Sequence, residues 1–385
     1  MAALSRRVVV THPAADRYGS DLQVLESVSA LVDRGWQVTF VVPTPGPLLD
    51  LVEGAEVRIV KSAVLRKSSR PSVRSRRWPL SPWRVLMLLG RTPVDLLRAS
   101  MLLRELRPDF LYVNTITVPI WMLAARLCGI PLLTHVHEAE NDHPRPIRLA
   151  LTAPLLFSQR IVVNSQASAR AITDVMARLT ARTAVVYNGV PDPGDEREPA
   201  SAPPRIAYIG RLSPRKGVDT ALEAVARLRA EGVDVCLDIC GSTFPGYEDY
   251  EAALRARAAQ PDLADRVRFL GYVRPLSGVL SRSSLLVMPS RYEPFGNVAV
   301  EALLARCPVV ATRVQGLQEV VKHEETGLLV PPDDPGSLAQ AIAQILQHPD
   351  RARARAEAGR RDALARFSVA AYRDHIGRLA EDAVS

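Results

Sequence analysis

The sequence predicts an α/β protein made of two doubly wound domains that face each other across a cleft. The length of 385 residues suits two domains. Strands that are apolar throughout alternate with helical segments, which is typical of parallel sheets covered on both faces. A stretch rich in proline and charge divides this series in two. Ligands of such sheets bind beyond the carboxyl ends of the strands, so we expect the site in the cleft.

The N-terminal domain is predicted to span residues 1–190. Its strand segments read RRVVVTHP, WQVTFVVP, EVRIV, DFLYVN, IPLLTHVHE, RIVVNS and TAVVYNG. Helical apolar spacing occurs between them in SDLQVLESVSALVDRG, DLLRASMLLRELRP, PIWMLAARLCG and QASARAITDVMARL.

The segment PDPGDEREPASAPP, residues 191–204, is the predicted linker, because it lacks any apolar period. A second domain is predicted over residues 205–367. Its strands read RIAYIG, DVCLDICG, VRFLGYV, SLLVMPS, PVVATRV and TGLLVPP. Residues 368–385 are predicted to form a helix, which either caps the second domain or crosses back to the first.

The charge of the chain is concentrated in one segment. Between Arg58 and Arg91 there are ten Lys and Arg residues and no Asp or Glu, so without them the net charge of +8 falls to −2. No recognisable nucleic-acid module accompanies this charge, and we expect no nucleic-acid partner. The chain has no apolar run of the roughly 18 residues that span a bilayer and no secretory signal pattern at its start, so we expect a cytoplasmic location.

The stretch SRYEPFGNVAVEALLARCPVVATRVQG suggests a ligand site. Its first part is a loop after a buried strand, and helical spacing starts at about Asn297. The first N–H groups of that helix favour an anion such as a diphosphate. Glu293 in the loop and Glu301 in the helix can each accept hydrogen bonds from a vicinal diol. A nucleotide sugar has diols on either side of a diphosphate, although spacing alone also fits a loop–helix junction with surface glutamates.

The loop YIGRLSPRKG follows the first strand of the second domain. Arg211 and Lys216 can both face the same crevice as the glutamate loop. Two fixed cations there would neutralise a leaving diphosphate. Alone this is a common basic loop, but together with the glutamate loop it is a specific pattern.

Together these residues resemble glycosyltransferase family 4, the retaining enzymes of the GT-B fold, over nearly the whole chain. The resemblance implies two Rossmann-like domains and a nucleotide-diphosphate sugar as donor, without a metal or other cofactor. It implies that Arg211 and Lys216 hold the distal phosphate. It also places Glu293 beside the transferred sugar and Glu301 on the ribose hydroxyls. The backbone that would line the sugar and phosphate pocket belongs to Phe295, Gly296, Asn297 and Val298.

Three further stretches match the family's pattern only in part. Gly19, in YGSD, stands where the family has a glycine-rich first loop near the diphosphate, although the usual double glycine is absent. His137 ends the strand LTHVHE where family members often carry an active-site histidine. His135 shares its parity, and the two could instead bind a metal or form a hydrogen-bonded core pair. Tyr272 and Val273, in LGYV, match the position where the family's backbone meets the nucleobase.

We therefore predict a retaining glycosyltransferase that moves a sugar from a UDP- or GDP-sugar to an acceptor hydroxyl. The acceptor would be a glycan, a lipid-linked sugar or a small molecule. Two alternatives remain open: a sugar-nucleotide epimerase of the same architecture, and a non-catalytic scaffold that binds nucleotide sugars. The chain has no G-x-G-x-x-G after its first strand, no complete P-loop and no Gly-x-Ser-x-Gly elbow. These absences argue against dehydrogenases, P-loop enzymes and serine hydrolases.

The basic segment Arg66–Arg91 contains eight cations together with Trp78 and Trp83. Cations with interfacial tryptophans fit a segment that lies on an anionic membrane surface, which would make the protein peripheral on the inner face. A solvated loop followed by a buried helix, or a pocket for a soluble anionic acceptor, fits the same residues.

Overall fold

The computed structural model describes residues 6–17, 19–60, 82–139, 144–194, 196–198, 202–244 and 246–384, without the side chains of residues 82–91. The chain forms two compact units. The first contains the described residues up to Gly189 together with those of Val369–Ser385, and the second contains those of Val190–Ser368.

The first unit is built on a seven-stranded sheet in which every pair of neighbours is parallel, in the order β3-β2-β1-β4-β5-β6-β7. Its strands are β1 (Arg7–Thr11), β2 (Gln37–Val42), β3 (Ala55–Ile59), β4 (Phe110–Asn114), β5 (Leu132–Val136), β6 (Arg160–Val163) and β7 (Thr183–Val185). Its helices are α1 (Gly19–Val32), α2 (Pro82–Leu106), α3 (Pro119–Cys128), α4 (Arg145–Thr152), α5 (Gln166–Thr173) and, at the end of the chain, α13 (Val369–Asp382).

Both faces of the central strands β4 and β5 are buried, which explains why these strands are mainly apolar, whereas the edge strand β3 is largely exposed. Val9 belongs to a core cluster with residues of α2 and α3, whereas Val8 and Val10 belong to a cluster with residues of α1 and α13. Successive side chains of a strand point to opposite faces, so one apolar run supplies both cores.

The final helix α13 packs on α1 in the first unit. Tyr372 and Ile376 enter the core beside α1, and Arg34 donates to Asp374 and Glu381 at 2.8 Å each. The buried apolar side chains supply most of this attachment, because exposed ion pairs contribute at most about 1 kcal/mol each.

The second unit is built on a six-stranded parallel sheet in the order β10-β9-β8-β11-β12-β13. Its strands are β8 (Arg205–Ile209), β9 (Cys236–Cys240), β10 (Val267–Gly271), β11 (Leu285–Met288), β12 (Val309–Thr312) and β13 (Leu328–Val330). Its helices are α6 (Val218–Ala230), α7 (Glu248–Ala258), α8 (Ser277–Leu280), α9 (Asn297–Leu304), α10 (Leu317–Val320), α11 (Pro335–Gln347) and α12 (Pro349–Arg366).

The predicted fold class, two doubly wound α/β sheets, is confirmed by this topology. The sequence reading nevertheless missed helices after the last strand. In α12 the buried side chains are alanines such as Ala352, Ala356 and Ala363, so the helix has no stripe of large apolar residues to reveal it.

Strand order reverses once in each sheet, between β1 and β4 and between β8 and β11. Ligands of doubly wound sheets bind beyond the strand ends at such reversals. His12 follows β1 and Asn114 ends β4, whereas the loops that carry Lys216 and Glu293 follow β8 and β11. In the part of the chain that the structure describes, no helix combines the length and apolar character needed to cross a membrane.

Candidate active site

Glu293 lies in the loop between β11 and α9, and its backbone is held on both sides. Its N–H donates to Oε1 of Gln315 at 2.9 Å, and its carbonyl oxygen accepts from the N–H of Gly316 at 3.0 Å. Gly296, directly before α9, has a φ of +106°, which L side chains rarely adopt. The loop therefore enters the helix along one defined path.

The start of α9 is where the sequence predicts an anion site. The helix begins at Asn297, and the N–H groups of Ala299 and Val300 bond back to the carbonyl of Gly296 at 2.9 and 3.3 Å. The earliest N–H groups of a helix and its dipole both favour negative charge. Val298 is half-buried in the same turn.

Phe295 is the apolar anchor of this loop. Its side chain is buried, and its ring meets that of Phe367 edge to face, with centroids 5.5 Å apart. Such a pair stabilises the packing by about 1 kcal/mol beyond the area that it buries. The side chain therefore serves the structure, and only the backbone of Phe295 can serve a ligand.

The ammonium group of Lys216 donates to Oε2 of Glu293. The side chain of Lys216 is 18% exposed and that of Glu293 is 10% exposed. Burial lowers the pKa of Lys216, the charge of Glu293 partly offsets this shift, and the charges of Arg215 and Arg211 add to the lowering. A cation that is held partly desolvated beside other cations is well suited to an incoming diphosphate.

Gly217 explains how the two loops come close enough for this contact. A Cβ added at Gly217 would lie 1.9 Å from the carbonyl oxygen of Pro289, the residue after β11. Only glycine allows the backbone of the β8 loop to approach the end of β11 in this way. In the Lys-Gly pair of the motif, Lys216 therefore supplies the charge and Gly217 allows the two loops to approach closely.

Arg211 is held by an aromatic ring. Its guanidinium carbon lies 3.7 Å from the ring centroid of Phe244, and its carbonyl oxygen accepts from the hydroxyl of Tyr208 at 2.9 Å. The cation–π contact restricts the guanidinium without neutralising it.

Glu301 pairs with Arg274, whose Nη1 lies 2.9 Å from its Oε2. Burial raises the pKa of Glu301, and the charge of Arg274 counteracts the rise. Arg274 follows Tyr272 and Val273, so this ion pair ties the loop after β10 to α9. Tyr272 is 45% exposed and Val273 is half-buried.

Sequence reasoning missed Arg274, Gln315 and Arg291. Arg291 makes a two-pronged contact with Asp219, with Nη1 at 3.0 Å and Nη2 at 2.7 Å from its two carboxylate oxygens. This pair links the glutamate loop to the start of α6. Arg274 and Arg291 lie next to predicted site residues, which is a usable signal, whereas nothing in the sequence marks Gln315.

The remaining predicted residues lie in the first unit. Gly19 is the first residue of α1. His137, half-buried directly after β5, bonds through Nε2 to Oδ1 of Asn114 at 2.9 Å. His135 is fully buried, and its Nδ1 lies 2.7 Å from the hydroxyl of Tyr112. Burial lowers the pKa of His135 to about 3, so this histidine is a neutral core residue.

The structure thus brings Arg211, Lys216 and Glu293 together in the second unit, and places Glu301 with the β10 loop. Gly19 and His137 share the β1–β4 end of the first sheet. Within the described ranges, no group of three or more His, Cys, Asp or Glu side chains is arranged to hold a metal ion. Most of the basic segment Arg66–Arg91, including Trp78, lies outside the described residues, as do the side chains from Pro82 onward within it.

Comparisons with known proteins assign the chain to a family. A model described as Glycosyltransferase Family 4 matches residues 19–193, and one described as Glycosyl transferases group 1 matches residues 195–362. The 2-deoxystreptamine glucosyltransferase of Streptomyces kanamyceticus is 31% identical over 62% of this chain and 67% of its own length. The chain belongs to the glycosyltransferases.

Other relatives agree with this assignment. The glycogen synthase of Mycobacterium tuberculosis is 29% identical to this glycosyltransferase, over 69% of this chain and 68% of its own length. The crystal structure of Anabaena HepE in complex with UDP and glucose has a TM-score of 0.80 at 22% identity, over 97% of this chain and 99% of that one. The predicted GT-B fold and the prediction of a glycosyltransferase are confirmed, and the comparisons do not favour the epimerase or the scaffold.

Proposed function

We propose that this glycosyltransferase moves a sugar from a UDP- or GDP-sugar to an acceptor hydroxyl with retention of configuration, as a member of glycosyltransferase family 4. The observation that carries the proposal is the contact between Lys216 and Glu293, made by the loops after β8 and β11. A cation and a carboxylate thereby meet at one strand-order reversal, which supports a site that holds the leaving group and the sugar hydroxyls.

The proposed reaction needs charge stabilisation more than a protein nucleophile. The acceptor oxygen bonds to the anomeric carbon on the face that the diphosphate leaves, and the bond between that carbon and the phosphate oxygen breaks. The electron pair stays on the phosphate oxygen, which takes the proton of the acceptor hydroxyl. Lys216, Arg211 and the start of α9 stabilise the charge that develops on the diphosphate.

The other residues receive roles that fit their surroundings. Glu301 holds the ribose hydroxyls, and the loop of Tyr272 and Val273 lies against the base. His137, with Gly19, acts from the first unit on the sugar and diphosphate. No metal or other cofactor takes part, so transfer should continue in EDTA. Loss of activity in EDTA that Mg²⁺ or Mn²⁺ restores would contradict this part of the proposal.

Glu293→Gln tests the proposal most directly. The amide keeps the size of the side chain but loses the charge that faces Lys216, so kcat for transfer should fall at least 100-fold, the size typical of a lost transition-state contact. UDP or GDP should still bind, because the sugar rather than the nucleotide is the partner of Glu293. Radiolabelled sugar transfer and a thermal-shift titration measure the two quantities.

The matched control is Glu325→Gln, the same change at an exposed glutamate of the second unit. It should leave both readouts at the wild-type value. Unchanged turnover in Glu293→Gln would remove this residue from the site. Product formed without an acceptor would instead indicate the epimerase.

We also propose that the enzyme is cytoplasmic and that the segment Arg66–Arg91 rests on an anionic membrane surface, with a lipid-linked acceptor. Support comes from α2, which continues this segment and exposes Val94, Leu97 and Met101 at 47%, 58% and 59%. Their spacing places them along one side of the helix. The test is co-sedimentation with anionic and neutral liposomes at low and high salt. Recovery in the supernatant under every condition would contradict the membrane contact.

A further inference from the structure

A chain of hydrogen bonds leads from the interior of the first unit to His137. Oδ1 of Asp21 lies 2.8 Å from Nε2 of His12, and Nδ1 of His12 lies 2.9 Å from Nδ2 of Asn114. Oδ1 of Asn114 then lies 2.9 Å from Nε2 of His137. Asp21, His12 and Asn114 are all buried, at 1%, 3% and 0% exposure. This chain of hydrogen bonds lies where β1 and β4 meet, and no motif in the sequence predicted it.

For a neutral His12 beside an ionised Asp21, the chemistry of these groups sets the direction of every bond. An ionised carboxylate only accepts, so Nε2 of His12 must donate to Asp21. In a neutral His12 the other nitrogen, Nδ1, is then an acceptor, and only the NH₂ group of Asn114 can donate to it. The oxygen of the same amide must therefore accept from Nε2 of His137.

The reverse arrangement would require Nδ1 of His12 to carry a proton. If His12 accepted at Nε2, its Nδ1 would carry the proton and donate to the amide oxygen of Asn114. The amide would turn over, and its NH₂ group would donate to Nε2 of His137, which would move that ring's proton to Nδ1. The two arrangements differ only in proton positions and one amide flip, and an ionised Asp21 beside a neutral His12 selects the first of them.

We propose that Asp21, His12 and Asn114 are positioning residues that fix the tautomer of His137, with the proton on Nε2 and a lone pair on Nδ1. The tautomer decides whether Nδ1 of this ring accepts or donates a hydrogen bond. This inference rests on the proposed role of His137 in transfer, but the tautomer itself can be measured without any activity.

A neighbouring set of bonds provides the control. Nδ1 of His135 lies 2.7 Å from the hydroxyl of Tyr112, which lies 3.0 Å from the hydroxyl of Ser27. The rings of His135 and His137 are 4.0 Å apart, so this set touches the same ring without belonging to the chain. The carboxylate of Glu138 accepts from the backbone N–H of His137 at 3.0 Å.

The experiment is long-range ¹H–¹⁵N NMR on the full-length protein labelled with ¹⁵N-histidine, which distinguishes protonated from unprotonated ring nitrogens. The signals of His137 are assigned by their loss in His137→Gln. Wild type should show the proton on Nε2. Asp21→Asn, nearly identical in shape, should shift the population toward Nδ1, because an amide can donate to His12. Tyr112→Phe should leave the tautomer as in wild type.

Kinetics supply the second readout. Asp21→Asn should lower kcat by about 10- to 100-fold, the size seen when hydrogen-bond partners of functional histidines are removed, with little change in KM for the donor. A His137 tautomer that is identical in wild type and Asp21→Asn would overturn the inference, whatever the rates. A tautomer that shifts while kcat stays constant would leave the chain standing and refute the role of His137 in transfer.

Discussion

The two strand-order reversals of this molecule hold their functional side chains in different ways. Between β8 and β11 the contacts are ionic, with Lys216 on Glu293 and Arg291 on Asp219. Between β1 and β4 a relay of histidine and amide side chains ends in the buried carboxylate of Asp21. The fold is alike in both places, so we attribute the difference to the task proposed for each site, which is to bind a charged group or to fix the position of a proton.

Charged pairs suit the diphosphate site that we propose for the second unit. A partly exposed cation paired with a carboxylate stays charged. It can exchange that carboxylate for a diphosphate when the ligand binds. A net charge on a buried relay of histidine and amide groups costs desolvation free energy. Such a relay can instead determine which ring nitrogen of a histidine carries the proton. The comparison predicts that substitutions at the site of the second unit mainly lower kcat. Substitutions in the relay of the first unit should change which ring nitrogen carries the proton.

The largest expected effect is the loss of the cations in the second unit. Lys216→Ala and Arg211→Ala should each lower kcat by roughly 100- to 1,000-fold, about 3–4 kcal/mol, because donors to a developing oxyanion have this value. Initial rates at saturating donor measure the effect. Arg215→Ala, at an exposed arginine of the same loop, is the control and should remain within a few fold of wild type. Equal losses in all three variants would show that only the summed charge of the loop matters.

The next effect concerns binding of the nucleotide. Glu301→Ala should weaken UDP or GDP by roughly 10- to 100-fold, since a hydrogen bond to a charged group contributes about 1.5–3 kcal/mol. Product and substrate share this contact, so Kd for the nucleotide and KM for the donor should rise together. Isothermal titration measures the first quantity. A mutant that binds nucleotide as tightly as wild type would disprove the ribose contact.

The smallest effect concerns His135, the buried histidine beside the relay of the first unit. Burial lowers the pKa of His135 to about 3, whereas an unfolded histidine titrates near 6.5. The unfolded chain therefore binds the extra proton first, and the free energy of unfolding should fall as the pH drops from about 6.5 toward 3. The slope from this group is at most about 1.4 kcal/mol per pH unit.

Thermal melts between pH 7 and pH 5 test this expectation. His135→Gln should lose less Tm over that interval than wild type does, because its side chain does not titrate. His375→Gln, at an exposed histidine, should keep the wild-type slope. A wild-type slope in His135→Gln would mean that His135 contributes nothing to the acid sensitivity.

Much of the fold could be predicted because the strands carry local signals. Most strands are buried on both faces and so are mainly apolar, and this pattern located them in the sequence, although the edge strands β3 and β10 are more exposed. The loops with Lys216 and Glu293 were visible because glycine and proline mark them beside charged residues. Arg274 and Gln315 were not, because each acts through one contact with a residue that is 27 or 22 positions away.

By itself the sequence determined the strands, most of the helices, the basic segment and the charged residues of the second unit. Only the tertiary structure decided where α13 packs, which carboxylate faces which cation, and that His12, Asn114 and His137 form one chain. The 102 positions between His12 and Asn114 carry no local signal of their pairing. Parallel neighbours such as β1 and β4 meet only after intervening strands and helices have been placed elsewhere, so contacts between their ends follow from the strand order and not from any short motif.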